Sequence, residues 1–109
     1  MASELLKVAL KPACSNSETK LIDGVAGHTY TILSIMICET GNAAETFKLY
    51  IDDNAGGTDH YIYFDQALAA KSTFEHTTKL VLEGTDMLGF ITGDSANVDV
   101  VVSYLDQTL

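Results

Sequence analysis

The 109-residue sequence contains one proline, two cysteines and no tryptophan, and it has only six lysine and arginine residues against fifteen aspartate and glutamate residues. The resulting net charge of -9 would repel phosphate backbones and anionic lipid, so we expect no nucleic-acid partner and no membrane partner. No apolar run approaches the roughly 20 residues that a membrane-spanning helix requires. The sequence therefore predicts a soluble protein.

The N-terminal stretch MASELLKVALKPACS has apolar residues, but Lys7 and Lys11 interrupt them. It therefore lacks the continuous apolar region of a secretory signal. Without an export signal the expected compartment is reducing, so Cys14 and Cys38 are expected to be free thiols that act as small buried or half-buried apolar residues.

Helix-forming segments are also scarce. The one local candidate is QALAAK, residues 66–71, which is too short to be stable as an independent helix. The length of the chain fits a single domain with one core. Because Pro12 falls where the first extended run should end, we divide the chain into an N-terminal arm or edge strand, residues 1–12, and a single β-sandwich domain, residues 13–109.

What the sequence does contain is a series of short runs rich in Thr, Ile, Val and aromatic residues, separated by Gly, Asn, Asp and Ser at intervals of roughly 8 to 12 residues. The runs are LLKVAL, TKLI, HTYTILSIMIC, ETFKLYID, TDHYIYFD, STFEHTTKLVLE, DMLGFIT and NVDVVVSYL. This spacing predicts an all-β fold, an antiparallel β-sandwich that is jelly-roll-like, with about eight short strands and very little helix.

Apolar and polar residues alternate within several of these runs, and side chains two residues apart share one face of a strand. The alternation predicts a core that includes Ile32, Leu49, Ile62, Phe64, Leu80, Leu82, Phe90, Val100 and Val102.

The segment DDNAGGTD, residues 52–59, concentrates the residue types that bind metals. A calcium loop of the helix-flanked kind has a glycine at its sixth position and a bidentate glutamate at its twelfth. Counting from Asp52, Gly57 is sixth, but Tyr63 is twelfth and Gly56 replaces a ligand at the fifth position. We therefore predict a hairpin turn between two strands, with no metal ion bound.

Candidate catalytic groups are dispersed along the chain. His28, His60 and His76 lack the spacing of zinc-ligand pairs, and no G-x-S-x-G motif is present. The adjacent carboxylates of Asp52 and Asp53 would point to opposite faces of a strand. We expect no catalytic residue, no metal and no cofactor, and the chain is not expected to be an enzyme.

Two sets of residues are candidates for a protein interface. Tyr50, Tyr61 and Tyr63 would form an exposed aromatic strip if they pair across the predicted hairpin, although ordinary cross-strand packing explains them equally simply. In the N-terminal arm, docking on a neighbouring protein would bury apolar side chains that are otherwise exposed to water. These arm residues are Leu5, Leu6, Val8 and Leu10.

From Gly24 onward, three segments carry a resemblance to a known group of proteins: HTYTILSIMICETGNAAETFKLYI, YIYFDQALAAKSTFEHTTKLVLEGTDMLGF and NVDVVVSYLDQ. In strand order and turn placement the chain resembles small virion structural proteins of tailed bacteriophages. It departs from their usual compact Gly-Asp turn by having Gly84, Thr85 and Asp86 in that place.

The resemblance implies a non-enzymatic bacteriophage virion structural protein, a capsid decoration or cement protein that stabilises the head. The alternatives are a subunit of the neck, tail or fibre base, or a β-sandwich module that binds carbohydrate or a receptor. The decoration role implies a homo-oligomer, with a trimer favoured, and contact with the major capsid protein or other virion proteins. The expected location is the virion, assembled in the host cytoplasm.

Overall fold

The computed structural model describes residues 3–108, in which nearly all regular structure is extended. The strands are β1 (Ser3–Cys14), β2 (Thr19–Asp23), β3 (His28–Glu39), β4 (Glu45–Asp52), β5 (Asp59–Leu68), β6 (Thr73–His76), β7 (Leu80–Glu83), β8 (Met87–Thr92) and β9 (Val98–Thr108). A short 3₁₀ helix, Asp53–Ala55, follows β4. Within the described residues, no helix is long and apolar enough to cross a bilayer.

The strands form two sheets in which every pairing is antiparallel. The five-stranded sheet has the order β1-β9-β3-β6, with β7 also paired to β3, and the four-stranded sheet has the order β2-β8-β4-β5. Because β6 and β7 pair with successive parts of β3, they amount to one interrupted strand. The result is an eight-stranded jelly roll, as the sequence predicted.

The N-terminal arm is extended where the structure describes it. Residues 3–14 form β1, at the edge of the five-stranded sheet and paired with β9. Residues 1 and 2 of the proposed arm, and residue 109, lie outside the described residues.

The inner faces of the two sheets share one apolar core. Six residues of the predicted core are fully buried in it: Ile32, Leu49, Leu82, Phe90, Val100 and Val102. Ile62 and Leu80 are half-buried and pack against its edge. The prediction was wrong for Phe64, whose side chain is 61% exposed.

A bulge in β5 explains the position of Phe64. Adjacent residues of β4 pair with Tyr61 and Tyr63, so Ile62 is an extra residue between the two pairs. An extra residue reverses the alternation of the side chains that follow it, here as far as a second irregularity between Tyr63 and Gln66. Tyr63 therefore turns inward, where its ring packs edge-on against Phe47 at 5.9 Å between centroids, and Phe64 turns outward.

Residues 66–71, the one helix candidate and too short for a stable helix, end β5 and enter a turn, and Glu39 holds this turn in place. The Glu39 carboxylate is buried and accepts backbone N–H bonds from Lys71 at 3.0 Å and Gly41 at 2.7 Å. These bonds, that from Lys71 foremost, hold the pKa of Glu39 below its usual value. The carboxylate thereby joins two loops at one end of the sandwich.

The loop between β4 and β5 is a hairpin connection. Asn54 has a φ of 56°, a conformation that asparagine tolerates well. Asp52 accepts the backbone N–H of Gly56 at 3.0 Å, and Asp86 accepts that of Asn54 at 3.2 Å. These acidic side chains therefore stabilise the turn through hydrogen bonds to the backbone.

Candidate protein-binding surfaces

The outer face of the five-stranded sheet exposes a group of large apolar side chains, here called the apolar face. Its exposed members are Leu6 (77%), Val8 (54%) and Leu10 (65%) of β1, Met36 (42%) of β3 and Val81 (54%) of β7. Strand alternation explains the set, because the even-numbered residues of β1 lie on the outer side of the sheet. Met36 and Val81 were not anticipated from the sequence.

Strand register joins Leu10 to Met36 across the sheet, whereas Thr31 lies between Val81 and Leu105. Leu10 lies opposite Val101 of β9, and Val101 lies opposite Met36 of β3. Leu6 lies opposite Leu105, which is half-buried like Val101. Contiguous exposed apolar side chains of this kind are typical of surfaces that another molecule covers.

The backbone of β1 adds to this surface, because the strand is at the edge of its sheet. An edge strand presents unpaired N–H and C=O groups to any extended chain that approaches it. Natural edge strands are usually protected by outward charges or by proline; β1 has Pro12 near its end, but its outward side chains at Leu6, Val8 and Leu10 are aliphatic and exposed. This strand is therefore suited to pairing with another chain.

Leu5, the remaining predicted arm residue, lies on the inner side of β1 beside a polar cluster and is 53% exposed. In this cluster the Lys7 ammonium donates to the buried Asp106 carboxylate at 2.8 Å, and His28 Nδ1 lies 2.7 Å from the other Asp106 oxygen. The hydrogen bond from Lys7, followed by that from His28, holds the pKa of Asp106 below its usual value.

This cluster joins β1, β9 and β3 at one end of the sheet. Its acidic member could have been found from the sequence, since Asp106 continues the core side of the alternation in NVDVVVSYLDQ. An acid at a core position requires partners.

The aromatic strip exists in altered form on the outer face of the four-stranded sheet, and Tyr50, which was predicted to be exposed, is buried. Tyr50 pairs with Tyr61, and their rings meet at 5.6 Å between centroids. Tyr63 belongs to the inner face and is not part of the strip. Its place is taken by Phe64, whose ring lies 4.9 Å from that of Tyr61. Alternation in the sequence does not reveal the bulge at Ile62, so this exchange of Tyr63 for Phe64 was not predicted.

The side chains around the aromatic strip are polar and charged. The Tyr50 hydroxyl donates to the carboxylate of Glu18, the residue before β2. Burial and the Glu18 carboxylate raise the pKa of Tyr50. Lys48 donates to Asp65 at 2.6 Å, and its ammonium lies 4.7 Å from the centre of the Phe64 ring.

The three histidines occupy separate environments. His28 belongs to the cluster with Asp106, and His60 is exposed on β5. His76 is buried, with Nδ1 2.8 Å from the Tyr63 hydroxyl. Among residues 3–108, no group of three or more His, Cys, Asp or Glu side chains is placed to hold a metal ion. Cys14 is buried and Cys38 half-buried, and both are free thiols.

Comparison with known proteins gives similarity in structure alone. No protein-family model matches the chain, and no curated protein matches it in sequence. A chain from the acidic stable capsid structure of Helicobacter pylori bacteriophage KHP30 is 14% identical, with a TM-score of 0.57 over 100% of this chain and 94% of the other. A chain from the disulfide-linked pili of Bacillus endospore appendages is also 14% identical, with a TM-score of 0.57 and coverage of 99% and 88%.

A third similar structure is larger than this protein. The chain is 13% identical to one from the infectious bursal disease virus VP2 subviral particle, with a TM-score of 0.57 over 99% of this chain. It covers 32% of that VP2 chain. At such low identities the three likenesses show a shared all-β fold.

Proposed function

We propose that the protein is a non-enzymatic structural subunit of a bacteriophage virion, a decoration or cement protein that binds the outside of the head. The observation that carries this proposal is the apolar face, which exposes five large side chains on one surface of a small jelly roll. The structural likeness to a chain from a bacteriophage capsid supports a role in a virus particle.

Covering the apolar face would provide the binding energy. Complete burial of one Val, Leu or Met side chain contributes about 1.5–3 kcal/mol before the cost of association. The charged side chains that share the outer face of this sheet are acidic, among them Glu75 of β6 and Glu83 of β7. A protein surface that combines apolar and basic residues would therefore complement it, and we assign this role to the major capsid protein.

The edge strand β1 supports self-association, because a neighbouring copy can cover its unpaired backbone. We propose a homotrimer that caps a threefold position of the capsid lattice. In this arrangement the copies contact one another along β1, and the rest of the apolar face rests on the shell. The net charge of -9 suits an outer surface, away from the packaged genome.

A sedimentation experiment tests binding to the head. Purified heads of the phage that carries this chain, stripped of it, are mixed with wild-type protein or with a Met36→Ser, Val81→Ser double variant. These two residues lie away from β1, so the variant keeps the proposed contact between copies. We expect the wild type to co-sediment and the double variant to bind at least about ten-fold more weakly.

The matched control is Phe64→Ser, which removes a comparably exposed apolar side chain from the other sheet. This control should bind heads like the wild type. Equal binding by all three proteins would contradict docking through the apolar face. Ordered density in a ring at the portal vertex, in a cryo-EM reconstruction of the particle, would replace the decoration role with that of a neck subunit.

A further inference from the structure

We propose that the outer face of the four-stranded sheet carries a second binding site, for a neutral saccharide. The site is a groove beside the aromatic strip, with a volume of about 490 Å³, within the usual range for small-ligand sites. It lies on the opposite side of the sandwich from the apolar face, and it does not depend on the proposed structural role.

The floor of the groove is fixed by close packing. The ring of Tyr50 lies directly over Gly89 of β8, where a Cβ atom would come within 2.4 Å of a ring carbon. Any other residue at this position would push the ring away. The hydrogen bond from the Tyr50 hydroxyl to Glu18 then fixes the ring from the side of the β1–β2 connection. The floor is therefore preformed.

One wall of the groove is an exposed aromatic ring. Tyr61 is 48% exposed, although it packs edge-on against Tyr50 on one side and Phe64 on the other. These two contacts restrict its orientation while leaving part of its surface in contact with water. An ordered, partly exposed aromatic ring offers a flat apolar surface to a ligand. The C–H groups on one face of a sugar ring match such a surface.

The polar lining of the groove determines the charge of the ligand. Glu18 and Asp59 contribute carboxylates, and Lys48 contributes an ammonium group. The two carboxylates disfavour an anion in the groove, and the Lys48 ammonium, which Asp65 already binds at 2.6 Å, offsets only part of their charge. Burial, then the carboxylates of Asp52 and Glu18, raise the pKa of Asp59. An uncharged ligand avoids this repulsion.

The same lining offers hydrogen-bonding groups of both kinds. Carboxylate oxygens accept hydrogen bonds, the Lys48 ammonium has N–H donors beyond the one that Asp65 accepts, and the Asn16 amide both donates and accepts. A ligand rich in hydroxyl groups can use all of them, because each hydroxyl is both donor and acceptor. With the apolar surface of Tyr61, these groups match a neutral sugar more closely than an apolar peptide.

Binding is tested on an array of immobilised neutral oligosaccharides that includes oligomers of glucose, xylose, galactose and N-acetylglucosamine. Sialylated oligosaccharides provide the anionic arm, and choline and arginine amide, titrated in solution, provide the cationic arm. We expect the wild type to bind at least one neutral class. We expect Tyr61→Ala to weaken that binding at least about ten-fold, and Tyr61→Phe, which keeps the ring, to retain it.

Two further variants separate this site from the rest of the molecule. Asp59→Asn should weaken binding, because it removes a carboxylate acceptor, whereas Met36→Ser on the apolar face should leave binding unchanged. Thermal melts of all variants establish that they are folded. The proposal is overturned if no neutral oligosaccharide binds at millimolar concentration, if Tyr61→Ala binds like the wild type, or if only the anionic or cationic probes bind.

Discussion

At the scale of single residues, buried polar groups with fixed partners set the local structure. Asp106 has only 5% of its side chain exposed, yet it lies within hydrogen-bonding distance of both Lys7 and His28. A buried carboxylate without such partners would be strongly destabilising. The cluster therefore fixes where the end of β1 attaches to the sheet.

We predict that Asp106→Asn lowers the free energy of unfolding by about 2 kcal/mol at pH 7, because it removes charge-assisted hydrogen bonds from a buried site. The folded-state pKa of Asp106 lies below its usual value. Its stabilisation is therefore present above the unfolded pKa of about 3.9 and is lost as the pH falls through the folded pKa. Denaturant unfolding between pH 7 and pH 3 measures the effect.

The difference between wild type and variant should accordingly shrink below about pH 4. Asp23→Asn is the matched control, since Asp23 is exposed and its contact with Lys20 is 4.0 Å long. This change should alter stability by less than about 0.5 kcal/mol. If the difference in unfolding free energy between wild type and Asp106→Asn did not vary with pH, Asp106 would act through packing instead of charge.

We predict that Gly89→Ala destabilises the fold by about 1–3 kcal/mol, the usual range for overpacking. The added methyl group would meet the Tyr50 ring, which is itself buried and hydrogen-bonded to Glu18. Gly56→Ala is the control, because nothing lies within 4 Å of its Cβ position. Equal melting temperatures for the two variants would contradict this account.

At the scale of strands, the bulge at Ile62 has the largest consequence, because it decides which aromatic side chains of β5 are buried. Before the bulge, Tyr61 faces outward. After it, Tyr63 faces the core and Phe64 faces solvent. One extra residue thus creates the exposed aromatic pair and closes the core beside Phe74, whose ring lies 5.0 Å from that of Tyr63.

We predict that Tyr63→Ser costs about 2–4 kcal/mol of stability, because it removes a ring packed against the core. Phe64→Ser should change stability by less than about 0.5 kcal/mol, since that ring is mostly exposed. Thermal or denaturant unfolding of the two variants measures the difference. If Phe64→Ser were more destabilising than Tyr63→Ser, β5 would follow simple alternation in solution and would have no bulge.

The loop between β4 and β5 gives another prediction at this scale. We expect millimolar calcium to leave the melting temperature unchanged, because Asp52 bonds to the backbone of the loop and the closing glutamate of a calcium loop is missing. Differential scanning calorimetry with calcium and with a chelator makes the comparison. A stoichiometric site of micromolar affinity in a calorimetric titration would show this prediction to be wrong.

At the scale of the whole molecule, the protein is a flat body of 47 × 27 × 20 Å with two different faces. The apolar face belongs to the five-stranded sheet, and the aromatic strip belongs to the four-stranded sheet. Docking through the first would leave the second exposed to solvent. This arrangement accommodates both the proposed attachment to a shell and the proposed saccharide groove.

We predict that the protein is a trimer in solution and that a Leu6→Lys, Val8→Lys double variant shifts it toward the monomer. Two outward charges on an edge strand oppose pairing with a neighbouring chain. Multi-angle light scattering measures the mass, and circular dichroism checks that the variant keeps its β-sheet structure. Met36→Ser is the control that should remain trimeric. A wild-type monomer at all concentrations would refute self-association.

Much of the fold was predictable because its determinants are local. Turn residues at regular intervals and alternation within each run indicated eight extended segments and a jelly-roll-like sandwich, and the structure has this architecture. Most of the predicted core is correct for the same reason. The exposed row Leu6, Val8 and Leu10 also follows from the sequence of one strand.

Only the tertiary structure decided the features that depend on two or more strands. The bulge at Ile62 is a property of the pairing between β4 and β5, so alternation within β5 could not indicate that Tyr63 is inside and Phe64 outside. The attachment of Asp106 to Lys7 and His28 joins residues that are 99 and 78 positions apart. Sequence alone determined which segments are strands, because that depends on neighbouring residues. The register between paired strands decided which side chains are in contact, because strand pairing brings residues together that are far apart in the sequence.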